Sequence, residues 1–83
     1  MIIMTFQANT LPENILSVKE ALAMYLEYHG TVTVPDIEES KDGFLITLHV
    51  RARPGQIWTV RNAMRPYLQW HTDLKLTSIK EEV

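Results

Sequence analysis

The sequence predicts an α+β domain with the element order β-α-β-β-α-β, and three observations carry that expectation. Four segments alternate in hydropathy or are rich in β-branched residues, as strands are. Two segments repeat apolar residues at helical spacing. A turn signal, Asp42-Gly43, joins the second and third strand segments directly, which makes them a hairpin.

In chain order, IIMTFQA over residues 2–8 sets Ile2, Met4 and Phe6 on one side and Ile3, Thr5 and Gln7 on the other. Thr10 and Glu13 have the spacing of a capping box, with Pro12 in the first turn, where its missing N–H is not needed. A helix over 11–29 follows. At 100° per residue, Leu11, Ile15, Val18, Leu22, Tyr25, Leu26 and His29 form one stripe, with Glu13, Glu20 and Glu27 opposite. Gly30 stands where a helix ends in the left-handed conformation.

TVTV over 31–34 reads as a strand, and Pro35, which cannot donate to a ladder, places it at a sheet edge. DIEESKDG reads as a polar hairpin tip. FLITLHVRA then turns Phe44, Ile46, Leu48 and Val50 inward and Leu45, Thr47, His49 and Arg51 outward. Pro54-Gly55 breaks the strand and opens a second helix, with Ile57, Val60, Met64, Tyr67 and Leu68 on its buried stripe. Pro66 predicts a kink or stop, because its ring collides with the Asn62 carbonyl. DLKLTSI over 73–79 is the last strand, and residues 80–83 form a charged tail. The simplest architecture for this order is the ferredoxin-like plait, a four-stranded antiparallel sheet with both helices on one face.

Eighty-three residues make one domain, 1–83. There is no cysteine to cross-link it, so packing and oligomerisation are the remaining sources of stability, and a homodimer is expected. MIIMTFQA lacks a basic leader and FLITLHV is too short to span a bilayer, so neither export nor a membrane is expected and the compartment is the cytoplasm. The net charge of −2 gives no overall pull toward nucleic acid. It is unevenly spread: residues 1–50 carry net −5 and residues 51–83 net +3.

The residues offer little for catalytic chemistry. His29, His49 and His71 lack the close spacing of a metal site, and Ser17, Ser40 and Ser78 have no adjacent base. Asp36, Glu38, Glu39 and Asp42 lack the ligand pattern of a calcium loop, and no glycine-rich phosphate loop is present. No cofactor, metal or catalytic residue is therefore expected. The element order matches the RNA-recognition motif, whose sheet stacks bases on aromatic rings. Here the outward positions of the central strands carry no ring, which argues against nucleic acid.

Two surfaces remain. The uncovered sheet face would present Ile3, Thr5, Leu45, Thr47 and His49, with Thr31, Thr33, Thr77 and Ile79. It holds less charge than a solvated face and suits a homodimer interface. The second is RARPGQIWTVRNAMR, which contains every arginine of the chain. Arg51, Arg53 and Gly55 fall at a strand end and helix start, where free N–H groups favour anions. Trp58, Arg61 and Arg65 share a helix stripe and can stack as cation–π partners. The expected function is a non-catalytic interaction or regulatory module, homodimeric through its sheet, with an Arg/Trp surface for an acidic protein partner or small anion. The alternatives are a small-ligand or phosphate-contacting nucleic-acid binder, and a small enzyme whose site is shared across a dimer.

Overall fold

The computed structural model describes residues 1–82, and Val83 lies outside the described residues. The strands are β1 (Ile2–Ala8), β2 (Thr31–Ser40), β3 (Gly43–Arg51) and β4 (Leu74–Glu81). Helix α1 (Ile15–Leu26) lies between β1 and β2, flanked by 3-10 turns at Pro12–Asn14 and Glu27–His29. Helix α2 (Ile57–Trp70) lies between β3 and β4. The result is a small α+β fold with one four-stranded antiparallel sheet, ordered β2-β3-β1-β4. No helix is long and apolar enough to cross a membrane.

The alternation of β1 and β3 sets the core. Ile2, Met4, Phe6 and Ala8 of β1, and Phe44, Ile46, Leu48 and Val50 of β3, are buried. They pack against Ile15, Leu22 and Leu26 of α1 and Val60 and Met64 of α2, so both helices cover one sheet face. The helices also meet each other. Tyr25 donates its hydroxyl to the Ala63 carbonyl at 2.5 Å, and the Tyr25 and Tyr67 rings lie 4.7 Å apart. Among the described residues every buried side chain is apolar.

Several local expectations are corrected. No side-chain cap forms at Thr10 and Glu13: the 3-10 turn beginning at Pro12 moves the α-helical start to Ile15, out of reach of Thr10. Leu11 is consequently exposed rather than on the core stripe. Gly30 is nearly extended (φ 158°, ψ −176°), not left-handed. Glycine is required there by close approach, because a Cβ would run into the Arg51 carbonyl oxygen.

Pro66 does not end α2. Pro66 and Asn62 are both exposed, so the carbonyl that loses its helical partner can turn to water. The final turn is held by Tyr67 and Leu68 against the core and by the His71 N–H on the Tyr67 carbonyl at 3.0 Å.

The expected polar tip DIEES is strand, so the hairpin turns over Lys41 and Asp42 alone, with Ser40 paired to Gly43. Lys80 and Glu81, expected in the tail, belong to β4. Both edge strands are bulged. In β2 the register slips between Thr33 and Asp36, at Pro35, and in β4 it slips at the Thr5/Phe6 step, leaving Thr77 without a partner on β1. The second slip reverses the alternation. Ile79 therefore pairs with Met4 and packs toward the core instead of facing outward, while the Thr77 hydroxyl donates to the Thr5 carbonyl at 3.0 Å.

The helix contact titrates. Burial, then the charge of Asp73 and the neighbouring Tyr25, raises the Tyr67 hydroxyl above its ordinary value of 10.0. As pH climbs past that value the unfolded chain loses this proton first. The stability contributed by the neutral group is thus whole below about pH 10 and falls above it, until the folded hydroxyl also ionises. The thermal midpoint should decline more steeply above about pH 10 in the wild type than in Tyr67→Phe. Parallel alkaline slopes in the two proteins would place the loss at another group.

Candidate functional site

The uncovered sheet face is a grid defined by the strand pairings, since directly paired residues project to the same side. One row runs Thr33, His49, Ile3, Lys80 across β2, β3, β1 and β4. The next is Asp36, Thr47, Thr5, Ser78, and the third is Glu38, Leu45, Gln7, Lys75. The five residues expected on this face, Ile3, Thr5, Leu45, Thr47 and His49, are all there and half-buried. They form its centre together with Gln7, whose amide reaches Ser40 Oγ at 3.1 Å.

The columns differ in charge. The β2 edge carries Asp36 and Glu38, the β4 edge carries Lys75 and Lys80, and no carboxylate lies in these rows of the two central strands. The acidic edge was not foreseen because Asp36 and Glu38 read as hairpin tip. A two-residue turn at Lys41-Asp42, counted backwards with strict pairing, assigns Glu38 to this face. The same strand geometry disperses the acidic run. Asp36 and Glu38 face the open side, Glu39 pairs with Phe44 on the other, and Asp42 is in the turn. Among the described residues no three His, Asp or Glu side chains are grouped to hold a metal ion.

The arginine segment divides into separate surfaces. Arg51, the last residue of β3, pairs with Thr31 and projects on the open face, while Arg53 follows the strand. Gly55, in a left-handed turn (φ 86°), donates its N–H to Glu81 Oε2 at 3.2 Å. The partner of this N–H is thus a carboxylate of the chain itself. Trp58, Arg61 and Arg65 are exposed on the outer side of α2, away from Val60 and Met64. The Arg61 guanidinium carbon stands 5.5 Å from the centre of the Trp58 ring, within cation–π range. With α2 packed on the opposite face of the sheet, sheet and helix both separate this pair from Arg51.

Other exposed apolar side chains lie on the helices. Leu16, Met24 and Tyr28 line the outer side of α1 and its closing turn, and Trp70 ends α2, 85% exposed. His71 is exposed and stacks on Tyr67 with ring centres 4.2 Å apart. That contact could have been read from the four-residue spacing of the two rings. No protein-family model, curated protein or solved structure matches the chain.

Proposed function

We propose that this chain is a ferredoxin-like, non-catalytic interaction module that pairs with a second copy through its open sheet face. Its Trp58, Arg61 and Arg65 surface is left for an acidic partner. The strand order β2-β3-β1-β4, with a helix after β1 and another after β3, supports the ferredoxin-like assignment.

The observation that carries the pairing is the self-complementary charge of the open face. A two-fold axis parallel to the strands lays β2 of one copy over β4 of the other. Because Glu38 and Lys75 share a row, each Glu38 then meets Lys75 of the second copy, twice over, around a centre of Ile3, Thr5, Leu45, Thr47 and His49. An in-plane axis perpendicular to the strands would set acid on acid. Edge-to-edge pairing is opposed by the bulge in each edge strand and by Pro35.

Light scattering and sedimentation test this directly. The wild-type chain should have the mass of two copies. Glu38→Lys or Lys75→Glu alone should weaken association by about tenfold, by setting like charges together. The double variant should recover it, and Trp58→Ala should leave the mass unchanged, because that ring lies on the other side of the molecule. A wild-type monomer at every concentration, or a double variant no better than the singles, would refute the pairing.

A further inference from the structure

The end of the open face carries a second feature. A depression of about 440 Å³ is lined by Met1, Thr31, Thr33, His49 and Arg51. Thr31 pairs with Arg51 and Thr33 with His49, so two hydroxyls, an imidazole and a guanidinium project to the same side. Adjacent strands lie about 5 Å apart and alternate residues about 7 Å apart along a strand. These groups therefore stand at the corners of a patch about the size of one tetrahedral oxyanion with its contact distances. Arg51 provides a fixed positive charge and a planar fork suited to phosphate oxygens, and each threonine provides a hydroxyl that can donate.

The surroundings add charge of both signs. An adjoining depression shares Met1 and Arg51 and adds Ala52, Arg53 and Glu82. Across the two depressions Arg51 and Arg53 stand with a single lining carboxylate, Glu82. Asp36, the next carboxylate on this face, is one row further along β2.

We propose that the depression bounded by Thr31, Thr33, His49 and Arg51 binds a phosphate group. The site goes beyond the pairing of two sheets: all four residues belong to one chain, with Thr31 and Arg51 at the end of the face and Thr33 and His49 in the adjoining row that the pairing would cover. The ligand is free phosphate or the phosphate of a larger molecule, and the chemistry of recognition is common to both.

Calorimetric titration with inorganic phosphate and, separately, with glycerol phosphate at low salt tests the site. The wild type should bind in the millimolar range or tighter, with binding that weakens as salt is added. Arg51→Ala should weaken it by about tenfold or more, Arg51→Lys by less, and Thr33→Val should weaken it without any change of charge. Arg65→Ala, which removes the same charge from the far side of the molecule, should bind as the wild type does. Tighter uptake of the ester would assign the site to a phosphate carried by a larger molecule, and tighter uptake of the ion to free phosphate.

No uptake by the wild type, or equal losses in Arg51→Ala and Arg65→Ala, overturns the inference. Arg51 and Thr33 are exposed, so circular dichroism should show each of these variants folded. Binding is read per chain, so a monomer that takes up phosphate through Arg51 keeps this site and rejects only the pairing.

Discussion

Replacing Phe6 with alanine is expected to lower the thermal midpoint by about 15 °C or more. Phe6 lies on the central strand β1, fully buried, paired with Ile46 on one side and Leu76 on the other. Truncation removes the transfer energy of the ring and leaves a cavity under both helices, about 3–5 kcal/mol in similar cores. A chain of this length holds roughly 4–12 kcal/mol of stability in all, so the loss consumes much of it. Phe6→Leu keeps most of the volume and should cost less than about 1.5 kcal/mol. Thermal unfolding followed by circular dichroism measures both. A midpoint for the alanine variant within a few degrees of wild type would mean that the core is not centred on this ring.

Gly30→Ala is the second large effect, and it acts through the backbone. The new methyl group would occupy the space of the Arg51 carbonyl oxygen, which belongs to the strand that β2 must pair with. No side chain can move aside, so α1 and its closing turn must shift or the Thr31–Arg51 pair must open. A cost of about 2 kcal/mol or more is expected, beyond the ordinary range for surface substitutions. Gly55→Ala gives the internal contrast. Its φ of 86° strains an alanine, but no heavy atom lies within 4 Å of the added methyl. Its cost should be nearer 1 kcal/mol. Denaturant unfolding ranks the two. Equal losses would show that conformation rather than contact governs Gly30.

The buried faces of β1, β3 and both helices were legible in the sequence, because burial on one side imposes a period of two or of 3.6. Phe44, Ile46, Leu48 and Val50 could be assigned inward from alternation alone, and the Arg61–Trp58 contact followed from a three-residue spacing. What escaped depends on phase or on distant neighbours. One extra residue in a strand turns every later side chain over, so Ile79 was assigned to the wrong face and Thr77 to a regular position. Asp36 and Glu38 read as a polar tip because an edge strand, wet on one side, can be as polar as a turn. Gly30 matched a helix-ending glycine in position, yet the reason for it is a carbonyl about twenty residues away in the chain. The arginine segment seemed continuous because its residues are consecutive. The end of β3 sends Arg51 to the open face, whereas α2 covers the other face and carries Trp58, Arg61 and Arg65 on its outer side.

The bulges in β2 and β4 also bear on how far association can go. Unblocked edges would let each added molecule offer a fresh ladder to the next, and growth would have no natural end. With both margins interrupted, the proposed pairing of the bare faces would leave the sheet no surface for a third copy. On the proposed pairing, assembly would close at two. Species larger than two in the light-scattering profile would show that one of the margins is in use after all.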